Sequence, residues 1–414
     1  MTGVGLREGS VLSGGDPARS APHHHAGTPT APTAHQVAHT ADVADAIRDA
    51  ATSGVALRIS AGAGWLGAGR PISAPTRVLD LRALRGIIEY NPGDLTLTAR
   101  ASTTLAEIEE ATRPHGQWLP LDPFGVETDT LGATLATASC GPLASSLGLP
   151  RDLALGVEFV DGRGIVVRGG GRVVKNVAGF DLVRLTVGAW GTLGVITEVT
   201  VRLRARPEQV VSVALDLPDT PAALAPLLRA LREAPLTPIA AELLSAPLGA
   251  ACGAGTGAAD VVVVRLAGNA TSLTAQRRQI ASFGDARDVP ESTWDLLRRA
   301  FPSGAASVRL SHRPSRLAEL WFDLATTSRD LSGELRHASV ERGVARCVMP
   351  DSIDGTLSAQ VAALASRWTV VGEQLPPEAW TCLRTSATDR LSDGVRTAFD
   401  PGALLNPGLM TSRR

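Results

Sequence analysis

The apolar positions of the chain change period repeatedly after Ala34. Val43, Ile47 and Ala50 recur at helical spacing and predict a first helix, with Thr40 as its N-cap and Gly54 as its C-terminal stop. VALRIS at 55–60 then predicts a strand, AGAGWLGAGRP at 61–71 a glycine loop, and RVLDLRAL at 77–84 a second strand. IIEYNPGDLTLTARA at 87–101 predicts a hairpin turning at Asn91-Pro92-Gly93-Asp94, and TTLAEIEEATRPHG at 103–116 a short helix. Its acids Glu107, Glu109 and Glu110 read as a solvated face rather than catalytic groups. RDLALGVEFVDGRGIVVRGG at 151–170 predicts a strand pair around Asp161-Gly162.

From about Pro207 the texture changes. VVSVALDL, PIAAELLS, ADVVVVRLAG, SVRLS, ARCVMPDS and RWTVVGEQ read as strands. Between them AALAPLLRALREA, SLTAQRRQIASFG, the segment around Trp294 and RLAELWFDL read as helices. This alternation over residues 207–398 predicts an α+β domain with an antiparallel sheet and helices on one face. The organisation expected is therefore a tail over 1–33, a first domain over 34–206, the α+β domain over 207–398, and a closing segment over 399–414. The tail is rich in Gly, Ser, Pro, Ala and His without apolar periodicity and reads as disordered. His23, His24 and His25 lie in it without convergent acids, so metal binding there would be adventitious.

Composition narrows the function. At 414 residues, 44% hydrophobic and 20% charged, the chain reads as an ordinary globular protein of two or three domains. A formal net charge of −1 argues against a nucleic-acid partner. No apolar run approaches a membrane span and no signal-peptide pattern opens the chain, so a cytoplasmic location is expected. Cys140, Cys252, Cys347 and Cys382 stand far apart with no CxxC, which predicts no iron–sulfur or zinc site in this chain and buried apolar roles for the thiols.

Three stretches carry candidate cofactor chemistry. Gly62, Gly64 and Gly67 match G-x-G-x-x-G after a strand, with Asp80 at the distance of a ribose acid. Pro71 and Pro75 interrupt the helix that a Rossmann unit requires, so that unit is excluded. The second stretch, 119–142, sets Thr130, Gly132, Thr134, Thr137, Ser139 and Gly141 among a few apolar residues. That pattern suits a backbone lying against a planar ring with hydroxyls supplying hydrogen bonds, or else a polar loop without a ligand. The third stretch, 169–197, contains Lys175, the only lysine among forty basic residues, then Gly188, Gly191 and Gly194 ahead of Val195 and Ile196. A lone ammonium in an arginine-writing chain marks either a point charge that a planar fork cannot replace or chance survival on a solvated face. The glycines mark close approach of backbone or ligand.

KNVAGFDL followed by GTLGVIT resembles the FAD-binding domain of the vanillyl-alcohol-oxidase, or PCMH, type. Within that superfamily it is most similar to the smaller flavin subunits of bacterial glycolate oxidases. The resemblance covers about residues 33–207 and the last fifteen. It implies a two-part PCMH-type FAD-binding domain followed by an α+β cap on the substrate side. The loop Ala61-Gly62-Ala63-Gly64-Trp65 would wrap the pyrophosphate, although the family usually writes Gly-Gly-Gly-Thr there. Pro120, Leu121 and Asp122 match the family's proline turn, and Thr130 to Gly141 its flavin-contacting step. FDPGALLNPGLM at 399–410 matches the segment that returns an asparagine, here Asn406, to the flavin edge. No histidine or cysteine lies beside the loop, so the FAD is expected to be non-covalent.

The resemblance also implies partners: a larger catalytic flavoprotein subunit and an iron–sulfur subunit, the complex lying on the inner face of the membrane and oxidising a small 2-hydroxy acid. Catalytic members of the branch use a histidine-rich metal motif and a basic residue. Here the second half contains only His312 and His337, apart from each other, and a lone histidine in a strand is more often packed than basic. Arg309, Arg313 and the nearby Arg316 flank His312 and are the weak candidates for holding a carboxylate. Three readings follow: a flavin subunit of a complex, a self-sufficient D-lactate-like dehydrogenase, or a flavin-fold scaffold without catalysis.

Overall fold

The computed structural model describes residues 35–62, 67–72, 76–125, 129–171, 181–300, 305–328, 334–349, 356–383 and 390–410. The tail over 1–33, Ala63, Gly64, Trp65 and Lys175 lie outside the described residues.

Helix Thr40–Ser53 forms where predicted, one residue out of phase with its expected cap. The Asp42 carboxylate accepts from the N–H groups of Ala38 and His39, and Gly54 closes the helix in the left-handed region at φ 66°. Val43, Ile47 and Ala50 on its inner face are fully buried. Strands Ala56–Ser60 and Thr76–Asp80 pair in parallel, and His35–Gln36 pairs in parallel on the other side of Thr76–Asp80. Asp80 is buried, and its carboxylate accepts from the backbone and guanidinium of Arg82.

A five-stranded antiparallel sheet follows, in the order Ile87–Asn91, Thr96–Arg100, Val195–Arg202, Ala154–Val160, Val166–Gly170. Glu107 caps helix Leu105–Thr112 through Thr104 and pairs with Arg85, while Glu109 pairs with Arg113 and Arg206. Both sheets and the helix Thr40–Ser53 share one core that includes Phe159, Leu79 and Leu131. The C-terminal segment joins it: Leu57 donates to Leu404 O at 2.7 Å and Asn406 donates to Leu57 O at 2.9 Å.

The second half is an eight-stranded sheet in which every pair is antiparallel. Its order is Arg287–Val289, Gln209–Asp216, Val261–Gly268, Pro238–Leu244, Leu335–Ser339, Val344–Met349, Ala306–Ser311, Thr369–Gln374. Side chains alternate along each strand, so Val213, Leu243, Val264, Val308 and Cys347 meet helices Pro221–Glu233, Ala270–Ala281, Leu317–Thr327 and Thr356–Arg367. Helices do not keep to that face alone. Ala246–Ala251 and Ser292–Arg299 cover part of the opposite face, through Leu248, Trp294 and Leu297 packed on Ala214, Val263 and Leu244. Phe124, from the first half, completes that smaller core.

Strand Leu335–Ser339 was not legible as a strand. It is buried on both faces, and Arg336, His337 and Ser339 stand where apolar residues would normally mark a buried strand.

Candidate functional site

Two hollows meet between the halves. The first is a slot in the first half. One wall is the end of strand Ala56–Ser60 with Ala61 and Gly62, and the other is Thr130, Gly132, Ala133, Ala136 and Thr137 along helix Leu131–Thr137. Gly191, Gly194, Val195, Ile196 and Asn406 complete it. Thr130 forms the helix N-cap, accepting from Ala133 N–H at 3.3 Å, because its extended backbone leaves the hydroxyl aimed at the first turn. Arg58 and Asp129, which sequence reasoning did not single out, also line the slot; burial pushes the Asp129 carboxyl up to about 6.

Small residues bring main chain to the surface of this slot, but the reason differs between glycines. A Cβ on Gly191 would stand 2.9 Å from Asn406 Nδ2, and one on Gly194 would stand 2.4 Å from Phe159 in the core beneath. Packing of the slot's floor therefore requires glycine at 194. Trp190 and Asn406 are both non-glycine residues in the left-handed region, at φ 55° and 45°, and Asn406 Nδ2 donates to Trp190 O at 2.8 Å. Each such conformation costs about 1–2 kcal/mol, and strain of this kind concentrates where a site must be held in one shape. Asn406 Oδ1 also accepts from Ile59 N–H at 3.0 Å, so one side chain ties the C-terminal segment to the strand wall and to the turn at Trp190.

The second hollow, about 410 Å³, lies between the slot and the eight-stranded sheet. The two share Thr137, Trp190 and Leu409 in their walls. Ser139 and Gly141 face this cavity, and Ser139 Oγ is buried without a hydrogen-bond partner among the described residues. Pro120, Leu121, Asp122 and Thr134 face neither hollow. Leu121 packs in the core, Asp122 accepts from Leu143 N–H at 2.9 Å, and Thr134 donates to Thr130 O; burial pushes Asp122 up to about 6. Asp181 caps the short helix Leu182–Thr186 and pairs with Arg184.

The sheet supplies the cavity's chemistry by register. His337, Arg346 and Arg309 stand abreast on three neighbouring strands, and Glu242 stands abreast of Ser339. His337 Nδ1 and Glu242 Oε2 are 3.0 Å apart, both side chains more than nine-tenths buried. Burial pushes the Glu242 carboxyl up to about 8 and the His337 imidazole well below its usual value, so both favour their neutral forms. Arg346 holds Glu373 bidentately at 2.6 and 2.7 Å, with Arg309 3.8 Å from the same carboxylate. Burial would raise the Glu373 pKa, but Arg346 beside it holds it below the usual range. Arg342 donates to Cys140 Sγ at 3.3 Å, and Arg70 lies over Trp380 while donating to Leu383 O. Of the sequence candidates, Arg309 reaches the cavity. His312 packs edge-on against Trp368 beside Arg316, and Arg313 is exposed; neither lines either hollow.

The slot's residues fit a flavin. Its walls are mostly small and apolar, with Arg58 and Asp129 among them, and the buried Ser139 hydroxyl, without a hydrogen-bond partner among the described residues, faces the adjoining cavity. Among the described residues no group of three His, Cys, Asp or Glu side chains could hold a metal ion.

Residues 33–170 match the FAD binding domain family, and the cofactor of this stretch is FAD. The chain is 44% identical over 147 residues to glycolate oxidase subunit GlcE of Escherichia coli strain K12, covering 35% of this chain and 41% of that protein. It is 35% identical over 131 residues to glycolate oxidase subunit GlcD of Bacillus subtilis strain 168, covering 32% of this chain and 28% of that protein. The matches thus span less than half the length of these relatives. In fold, it superposes on 4-ethylphenol oxidase from Gulosibacter chungangensis with a TM-score of 0.71 at 17% identity, over 94% of this chain and 91% of that one.

Proposed function

On the premise of an FAD-binding domain at residues 33–170, we propose that the chain is an FAD-dependent oxidoreductase acting on the CH–OH group of small 2-hydroxy acids, of the glycolate class. The observation that carries this reading is the meeting of slot and cavity at Thr137, Trp190 and Leu409. A ligand filling the slot would present one end to a pocket of suitable size for a small acid. That pocket carries Arg70, Arg309, Arg342 and Arg346 against Glu242 and Glu373, and burial favours the neutral form of Glu242. An excess of guanidinium groups in a buried space favours a carboxylate substrate.

Bound FAD supplies a two-electron hydride acceptor. The chain's residues would do the rest. Ala61, Gly62, Thr130, Gly132, Thr137, Gly191, Val195, Ile196 and Asn406 hold the FAD non-covalently, with Arg58 a further wall residue suited to a phosphate charge. Ala63, Gly64, Trp65 and Lys175 belong to the same proposal on the strength of the sequence. Arg309 and Arg342 orient the substrate carboxylate so that its carbinol carbon faces the slot. In this reading the chain works as the flavin subunit beside a larger flavoprotein subunit and an iron–sulfur subunit, in the cytoplasm and peripheral to the membrane. Among the described residues, no helix is long and apolar enough to cross a membrane.

A second reading, a dehydrogenase competent without partners, is favoured by the buried His337–Glu242 pair in the cavity. The test is the purified chain itself. Its spectrum should show oxidised flavin that acid precipitation releases to the supernatant, and a colourless protein would leave only the scaffold reading. Glycolate or D-lactate added anaerobically to the isolated chain should bleach the flavin if it is competent alone. Bleaching only after the partner subunits are added would establish the complex reading.

A further inference from the structure

We propose that Asp129 is a cofactor-binding residue of the slot, its carboxylate accepting a hydrogen bond from a sugar-type hydroxyl of FAD. The inference rests on the FAD-binding slot and not on the identity of the substrate.

The fold supplies this carboxyl with no partner of its own. Asp129 lines the slot and is 9% exposed, yet its carboxyl oxygens have no hydrogen-bond partner among the described residues. Local structure does not use it either. Thr130, not Asp129, caps helix Leu131–Thr137 by accepting from Ala133 N–H. The main chain at 129 is pinned by Leu105 N–H, which donates to Asp129 O at 3.1 Å, and by the bridge between Thr104 and Thr130. Gly125 leaves room for the side chain, since a Cβ there would stand 2.6 Å from Asp129 Oδ2. A buried carboxyl without a partner costs more than a small apolar residue at the same place, and packing gives no reason to keep it. A ligand hydroxyl does.

Position along the slot selects the group. Thr137, at the other end of helix Leu131–Thr137, lines both the slot and the cavity. The seven residues of that helix span about 10 Å, so a cofactor whose ring reaches the cavity would run its sugar-like and diphosphate portion past Asp129. That portion offers hydroxyl donors and phosphate acceptors, and only the hydroxyls suit a carboxylate. Charge around the group is mixed. Arg298, on helix Ser292–Arg299 and 3.8 Å from Asp295, favours the ionised form against burial and acts on Asp122 as well. Arg58 lines the same slot, and on the helix that follows Leu105, Glu107 is paired with Arg85. With burial pushing the carboxyl up to about 6, it is ionised at pH 7.5 and protonates as pH falls below that value. A hydroxyl donor favours the ionised form, so FAD affinity should be highest above pH 7 and fall on acidification. In protein stripped of flavin the sign is opposite. There the raised folded-state value makes the ionised carboxyl a cost, fully present above pH 6 and lost as pH falls toward the ordinary aspartate value of about 4.

The test measures FAD binding to flavin-stripped protein from pH 5 to 8 by quenching of flavin fluorescence, with the melting temperature of the stripped protein recorded alongside. The wild type should lose about tenfold in affinity between pH 7.5 and 5. Asp129→Asn keeps the side chain's size, should bind FAD about tenfold more weakly at pH 7.5, and should show a flattened pH profile. Its stripped form should melt higher than the wild type at pH 7.5, with the gain shrinking toward pH 5. Weaker binding together with higher stability is a combination that a purely structural carboxyl would not produce. FMN and ADP separate the two sources of hydroxyl: an Asp129-dependent loss on acidification with FMN assigns the ribityl chain, and with ADP the ribose. An Asp129→Asn affinity within about twofold of the wild type at pH 7.5, or a wild-type affinity that rises on acidification, overturns the proposal while leaving the FAD slot in place. A stripped wild type that binds no FAD overturns both. Should Asp129→Asn fail to fold, the wild-type pH profile with FAD decides alone.

Discussion

The slot and the cavity are built on opposite plans. The slot is walled by main chain and small side chains from short, local stretches: 58–62, 129–137 and 190–196, closed by Asn406 and Leu409. The cavity's chemistry comes from single side chains on separate strands, with Glu242, Arg309, His337, Arg346 and Glu373 spread across more than 130 positions of sequence. A surface that meets its ligand through backbone needs glycine, alanine and threonine in runs. A surface that meets its ligand through ionisable groups needs only one polar residue per strand, each supported by charge pairing across the sheet. Loss of one such partner in the cavity should therefore cost more than loss of one contact in the slot.

The largest effect expected is at Arg346. Arg346→Met leaves the Glu373 carboxylate in a buried space without its bidentate partner, which should cost about 3–5 kcal/mol in urea unfolding at pH 7. The sign with pH sharpens the case. Glu373 is held below the ordinary glutamate range, so in the wild type its contribution is present at neutral pH and is lost as pH falls through its folded-state value. In Arg346→Met the carboxyl protonates instead, and the gap between the two proteins should narrow at pH 4–5. Equal stabilities at pH 7 would place this pair among the inert ones and break the contrast with the slot.

Next in size is Gly194→Val. The added side chain meets Phe159 at the first carbon, and overpacking of this kind costs about 1–3 kcal/mol. The loss should be the same in protein stripped of flavin as in loaded protein. A variant that keeps full stability when stripped but fails to retain FAD would show that Gly194 serves the ligand and not the core.

The smallest effect belongs to Thr130. Thr130→Ala removes the cap that accepts from Ala133 N–H, for about 1 kcal/mol and a modest fall in melting temperature. A larger loss confined to the flavin-loaded form would mean that the hydroxyl also contacts the cofactor.

What the sequence determined on its own was the set of features that depend on local geometry. Helical spacing and a glycine stop placed Thr40–Ser53, and Asn91-Pro92-Gly93-Asp94 placed the first hairpin, because a turn's dihedral requirements act over a few residues. Strands Ala56–Ser60 and Thr76–Asp80 stand on either side of the glycine loop as expected and pair in parallel. Gly62, Thr130, Gly132, Thr137 and Gly191 line the slot and stood out because close approach of main chain demands small or hydroxylic residues in recognisable runs, whereas Asn406 stood out only through the resemblance of the closing segment.

The tertiary structure alone decided the rest. His312 and Arg313 looked like a cluster with Arg309 because they are close in sequence, yet they lie beyond the end of strand Ala306–Ser311, where His312 packs on Trp368 and Arg313 is exposed, and only Arg309 lines the cavity. His337 looked isolated because its partner Glu242 lies 95 positions away and its own strand lacks an apolar alternation. Register across an antiparallel sheet is set by the fit of whole strands and their covering helices. No single stretch of sequence contains that information, so which buried polar residues stand side by side is decided when the sheet closes.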